Sequence, residues 1–173
     1  MSPNAGGNSV FSEVLSYSYI KALLNQHGYR VRLSKTEMEL KYVEGSKITD
    51  YSLAISNMKG GIEIIGCSVT RCFDFHDLDR SLPYASVERL LVKKLLGINC
   101  STEGVINEQW QRQILHIFCP NDAIAKMINN VLADLAESVV SNTIVLITVT
   151  DCPCIYFERS HHVEDVLDIL MYN

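Results

Sequence analysis

The sequence is poor in the features that mark several whole classes of protein. Its 173 residues contain only 4 Pro and 9 Gly, which excludes a collagen-like chain and argues against long disordered stretches. No apolar run reaches the ~18 residues of a membrane-spanning helix, so no membrane partner is expected. The start of the chain lacks the basic and then apolar pattern of a secretory signal, which predicts an intracellular protein, cytoplasmic or nuclear.

Positive charge is scarce and unevenly distributed. The formal net charge of -5 argues against broad binding of nucleic acid. Residues 1–100 contain twelve Lys or Arg against ten Asp or Glu, whereas residues 101–173 contain three against ten. A surface for a polyanion is therefore expected only in the first hundred residues, although such an asymmetry is more often plain solvated surface.

Apolar residues make up 47% of the chain, enough for one domain with a well-packed core. We expect a flexible leader over residues 1–8 and a single α/β domain over residues 9–173. Hydrophobic periodicity predicts helices over residues 9–27, 85–96, about 121–137 and 163–170. It predicts strands over residues 29–33, 38–42, 49–56, 62–71, 113–118, 143–150 and 154–157. Helical crossovers between buried strands predict a single mixed β-sheet covered by helices on both faces.

Three local predictions concern the interior of this domain. Gly97 is expected to end the second helix. His116 lies inside an apolar strand and is expected to be a hydrogen-bonded core residue rather than a ligand. The core-facing stripe of the first helix is predicted to consist of Phe11, Val14, Leu15, Tyr19, Ala22 and Leu23.

The six cysteines are expected to be reduced, because no secretory signal precedes them. They are Cys67, Cys72, Cys100, Cys119, Cys152 and Cys154. Two of them, Cys152 and Cys154, could instead bind a metal ion together with His161 and His162. Their spacing is tighter than in the usual zinc sites, which disfavours this alternative.

An acid at the start of one strand carries a family resemblance. Asp50 opens the third predicted strand, a hairpin follows over residues 57–61, and the long apolar strand 62–71 comes next. This order resembles the core of the PD-(D/E)XK, or restriction-endonuclease-like, nucleases over roughly residues 9–120. The resemblance implies an αβββαβ core in which acids hold Mg²⁺ or Mn²⁺ and a lysine positions the attacking water.

The motif that the resemblance requires on strand 62–71 is missing. In the best register, Gly66 and Ser68 stand where the acid and the lysine belong. A catalytically degenerate domain without a cofactor is therefore expected. The alternative is an active nuclease whose ligands have migrated, with Asp50 and Glu63 as catalytic residues and Glu13, Asp50 and Glu63 as metal ligands. The acid-x-Lys sequence at Glu39 to Lys41 precedes Asp50 in the chain, and we interpret it as part of the solvent-exposed face of a strand.

Polar and basic side chains near the same strand suggest a phosphate-binding surface. Ser68, Thr70 and Arg71 lie toward the strand's end, and Lys93 and Lys94 lie on the following helix, where one lysine is expected to face water. Solvated surface is the plainer interpretation of both groups. A second likeness, to eukaryotic proteins with a Gly-x-Ser-Val-Thr-Arg strand, rests on Gly66 to Arg71 and carries no activity with it.

Three hypotheses of function follow. The first is a degenerate nuclease-like domain that acts as a binding or scaffold subunit in a protein or ribonucleoprotein complex, with a protein partner favoured over nucleic acid. The second is the active, metal-dependent nuclease. The third is an unrelated α/β protein that forms a homodimer through an edge strand or its terminal helix.

Overall fold

The computed structural model of the chain describes residues 9–56 and 60–156. Its helices are α1 (Ser9–Gln26), α2 (Tyr84–Gly104), α3 (Asp122–Asp134), α4 (Glu137–Val140) and α5 (Pro153–Tyr156). Its strands are β1 (Arg30–Thr36), β2 (Tyr51–Ser56), β3 (Ile62–Arg71), β4 (Gln113–Cys119) and β5 (Thr143–Val149). The predicted leader 1–8, the predicted helix 163–170, His161 and His162 lie outside the described residues.

The five strands form one mixed sheet in the order β1-β2-β3-β4-β5. The first three strands are antiparallel neighbours, and β3, β4 and β5 run parallel. One apolar cluster joins the sheet to α1 and α5, and a second joins it to α2 and α3. The predicted α/β class with a single mixed sheet and flanking helices is therefore confirmed. No helix among the described residues is long and apolar enough to cross a membrane.

Two predicted strands, 38–42 and the described part (154–156) of 154–157, are not strands. The segment 38–42 begins within a turn, in which the Glu39 carboxylate accepts from the Thr36 backbone N–H (2.8 Å) and hydroxyl (2.9 Å). Within the segment, only Tyr42 makes an isolated bridge, to Val105. This local side-chain bonding ends β1 and competes with further pairing. Near the other end, Pro153 begins the short helix α5, where its missing N–H leaves no hydrogen bond unmade.

The second helix runs past Gly97 and ends at Gly104. The prediction that Gly97 ends it was wrong because the buried stripe of the helix continues. Ile98 and Ser101 follow Leu91 and Leu95 at helical spacing, and packing of that face against the sheet outweighs the low helix propensity of one glycine.

The predicted core stripe of α1 was also wrong in part. Val14 is 56% exposed and Tyr19 is 45% exposed, whereas two serines, Ser12 and Ser16, are buried together with Ile20. Apolar periodicity alone missed this face because buried hydroxyl groups with hydrogen-bond partners can replace apolar side chains there.

A chain of buried polar side chains explains the burial of Ser16 and ties α1 to three strands. Its hydroxyl lies 2.7 Å from the Tyr51 hydroxyl and 2.8 Å from His116 Nδ1. On the other side of the ring, His116 Nε2 lies 2.8 Å from Thr148 Oγ1. The expectation of a satisfied core histidine is confirmed. Burial lowers the pKa of His116 to about 4, so the neutral imidazole is the native form.

Two of the six cysteines depart from the expected reduced state. Cys152 and Cys154 form a disulfide bond, so neither offers a thiolate to a metal ion in this state. The other four are free thiols, of which Cys67, Cys72 and Cys119 are buried. Burial raises the pKa of both Cys67 and Cys72 to about 12, which makes these thiols inert core groups.

We expect the free energy of unfolding to report the neutral state of His116. An unfolded histidine with a pKa near 6.5 takes up a proton before the folded one does, so stability is lost as the pH falls from about 6.5 toward 4. The stability difference between the wild type and His116→Gln, measured by urea unfolding, should shrink by about 3 kcal/mol between pH 7 and pH 4. A difference that does not change with pH would contradict the buried neutral imidazole.

Candidate carboxylate site

The candidate site lies at the end of the sheet where β2 begins and β3 approaches its last residues. Asp50 directly precedes β2, and its Oδ2 accepts a hydrogen bond from the Val69 backbone N–H at 2.5 Å. The preceding residue, Thr49, is fully buried. Its Oγ1 lies 3.0 Å from Ser101 Oγ and 3.1 Å from Gln113 Oε1. These contacts hold the start of β2 against α2 and β4 and thereby fix the position of Asp50.

Two further carboxylates meet Asp50 at this point. Ligand oxygens of Glu13, Glu37 and Asp50 all lie within 4.8 Å of one another. The antiparallel register pairs Thr36 with Tyr51, so the next residue of the first chain segment, Glu37, falls beside Asp50. Glu13 is carried there by α1, where it lies two helical turns before the buried Ile20.

A lysine from the opposite layer completes the group. Lys94 lies on the sheet-facing side of α2, between the buried Leu91 and Leu95, and its Nζ donates to the Val69 carbonyl oxygen at 3.4 Å. Its neighbour Lys93 points to the solvent, as expected for one member of the pair. An ammonium group on the buried side of a helix is uncommon and is paired when it occurs.

The electrostatics of the site centre on Asp50. Burial raises the pKa of its carboxyl from 3.8 to about 6. The Val69 N–H and the Lys94 ammonium lower the pKa, whereas the charges of Glu13 and Glu37 raise it. The fold therefore holds a carboxylate in surroundings that disfavour its charge, which is typical of functional sites.

The predicted residues divide between this site and other places. Glu13 and Asp50 lie together, as the active-nuclease alternative requires, but Glu63 does not join them. It lies at the far end of β3, exposed and paired with Ile55, and five residues of extended strand, about 17 Å, separate it from Ser68. Glu37 takes the third place. The sequence did not indicate Glu37 as a site residue, because residues 38–42 were predicted to form a strand and the turn after β1 was not foreseen.

Strand β3 has no room for the missing acid. A Cβ atom on Gly66 would lie 3.0 Å from the side chains of Gln113 and Trp110, so a carboxylate there would collide with both. The absence of the motif acid from this strand is thus built into the packing.

The predicted phosphate-binding residues of β3 face inward or have partners in the fold. Ser68 is 6% exposed and Thr70 is 8% exposed, so little of either side chain is open to a ligand. Arg71 Nη1 donates to the Ile155 carbonyl oxygen of α5 at 3.0 Å. Of the five predicted residues, Lys94 is the one that the structure brings to the carboxylates.

Comparison with known proteins adds one relative. No protein-family model matches the chain, and no solved structure matches it. A Dictyostelium discoideum protein described as "AAC-rich mRNA clone AAC4 protein" is 40% identical over 151 residues, which cover 84% of this chain. The chain spans only 20% of the length of that relative.

Replacing the buried carboxyl should stabilise the protein in the absence of divalent cations. A pKa raised from 3.8 to about 6 corresponds to about 3 kcal/mol against the ionised form at neutral pH. Asp50→Asn keeps an oxygen acceptor for the Val69 N–H and removes the charge. We therefore expect a higher free energy of unfolding at pH 7 with a chelator present, by up to about 3 kcal/mol.

The pH dependence checks the cause of this gain. The penalty belongs to the ionised carboxyl, so the gain should fade as the pH falls from about 6 to 3.8. The matched control is Glu63→Gln, which neutralises an exposed carboxylate outside the site and should leave stability nearly unchanged. A loss of stability in Asp50→Asn at pH 7 would overturn the electrostatic account.

Proposed function

We propose that the chain is a Mg²⁺- or Mn²⁺-dependent phosphodiesterase acting on nucleic acid, with its ligands moved off β3. The observation that carries the proposal is the convergence of Glu13, Glu37 and Asp50 beside Lys94. The element order α1-β1-β2-β3-α2-β4 is the order that the nuclease resemblance implies, which supports the choice of reaction.

The donor set fits a hard divalent cation. Mg²⁺ binds carboxylate oxygens and water octahedrally at about 2.1 Å, so oxygens on opposite sides of the ion lie about 4.2 Å apart. The three carboxylates, already within 4.8 Å, need only small rotations to reach such spacings. When bound, the cation would supply charge stabilisation at a phosphate and a more acidic water.

The residues of the chain have distinct tasks in this arrangement. The Val69 N–H fixes one oxygen of Asp50 and leaves the other free to act as a ligand. The Lys94 ammonium reaches from α2 to Val69 of β3, the residue that also bonds Asp50, and can hold a phosphate oxygen or orient the attacking water. Lys94 would thereby replace the lysine of the family motif, since Ser68 occupies the position of that lysine on β3.

Cleavage assays with matched variants test the proposal. Single- and double-stranded DNA and RNA should be cleaved only with Mg²⁺ or Mn²⁺, and Glu13→Gln, Glu37→Gln and Asp50→Asn should each lower the rate at least a hundredfold. Glu63→Gln should cleave like the wild type, because its carboxylate lies outside the site. Cleavage that survives Asp50→Asn, or that is lost in Glu63→Gln, would contradict the assignment.

The lysine has its own test. Lys94→Gln should lower the cleavage rate at least a hundredfold while leaving the thermal shift produced by Mn²⁺ largely intact, because the carboxylates remain. Lys93→Gln is the matched control, since it removes the same charge from the exposed side of the same helix. Equal losses in the two variants would assign the effect to general surface charge.

A binding domain without catalysis is the second candidate. Gly66 and Ser68 in place of the motif acid and lysine favour it, and it would act in a protein or ribonucleoprotein complex. Folded protein that gains thermal stability from Mn²⁺ but cleaves none of the nucleic acids would favour this candidate. Folded protein that gains no stability from Mn²⁺ or Mg²⁺ at millimolar concentration would remove the metal site from both candidates.

A further inference from the structure

Two arginines lie side by side at the β1 edge of the sheet, on the face that α2 and α3 cover over β4. Arg30 and Arg32 alternate with the buried Val31 on β1, so both project to the side of the sheet opposite α1. Both side chains are exposed, and neither has a carboxylate partner among the residues that the structure describes.

The surroundings of these arginines leave room for a ligand. Across the antiparallel register, Arg30 pairs with Ser56 and Arg32 pairs with Ala54, both small residues. A shallow groove forms here, with Ile62 of β3, 62% exposed, as its far wall. The nearest acid of β3, Glu63, points to the opposite face by strand alternation.

The groove is separate from the carboxylate site but shares its strands. Ala54 lies four residue steps along the chain from Asp50, about 13 Å. The segment between α2 and β4 crosses the face between them, where Glu108 contacts Ser34 and Lys35 and Trp110 covers Gly66. A ligand that reaches both places must therefore be extended.

We propose that this Arg30–Arg32 groove binds the phosphate backbone of the nucleic acid whose cleavage is proposed above, and the inference rests on that function for its choice of ligand. Charge complementarity carries it: two exposed guanidinium groups extend from one face of one strand, at residues about 7 Å apart along the backbone. That spacing is about the distance between neighbouring phosphates along one strand. The groove also falls within the first hundred residues, where the cationic side chains of the chain are concentrated.

Equilibrium binding tests the groove apart from catalysis. A fluorescent oligonucleotide of about 20 residues is titrated with Asp50→Asn protein in chelator, so that no cleavage intervenes. Adding Arg30→Gln and Arg32→Gln should weaken binding at least tenfold at low salt. It should also reduce the slope of log affinity against log salt by about 1.5, since two phosphate contacts are lost.

The matched control removes two exposed cations elsewhere. Arg89→Gln with Lys126→Gln, in the same Asp50→Asn protein, should leave affinity and slope nearly unchanged, and thermal unfolding should show that both double variants are folded. Equal losses in the two double variants, no binding by the parent protein, or equally strong displacement by a poly-glutamate peptide would each overturn the proposal. Arginine-dependent binding by a protein that never cleaves would overturn the proposed catalysis and support the groove.

Discussion

The structure depends on how the start of β2 is held. Thr49 is buried between α2 and β4, and Asp50 beside it bonds the backbone of β3. This anchoring brings a carboxyl group into surroundings that raise its pKa to about 6, which is unfavourable for folding at neutral pH. The ionised carboxyl of Asp50 therefore lowers the stability of the fold relative to an uncharged side chain at the same position, and such groups are common at functional sites.

A second polar system supports the opposite side of the sheet. Tyr51 directly follows Asp50, and its hydroxyl is the first member of the chain that runs through Ser16 and His116 to Thr148. Because every member bonds its neighbour, these buried groups fix the position of α1 rather than merely filling space. The position of α1 in turn brings Glu13 to the carboxylate cluster, so the cluster depends on the core network.

The two edges of the sheet differ in character. β1 carries Arg30, Arg32 and Lys35 and has an irregularity between Leu33 and Lys35, features that discourage pairing with another strand. Arg30 and Arg32 also line the groove at this edge. β5 has no charged residue and continues the parallel register of β4 without interruption. Charge is thus concentrated at the β1 edge and absent from the β5 edge.

The sequence by itself determined the elements and one anchor of the site. Apolar periodicity located α1, α3 and the five described strands to within a few residues, and the resemblance to the nuclease core singled out Asp50. Tertiary structure decided which groups meet Asp50. Glu13, Glu37 and Lys94 are far apart in the chain, and only the packing of α1, the β1–β2 register and the crossover of α2 bring them together. Periodicity in the sequence relates residues within one helix or strand, whereas this site is assembled from four different parts of the chain.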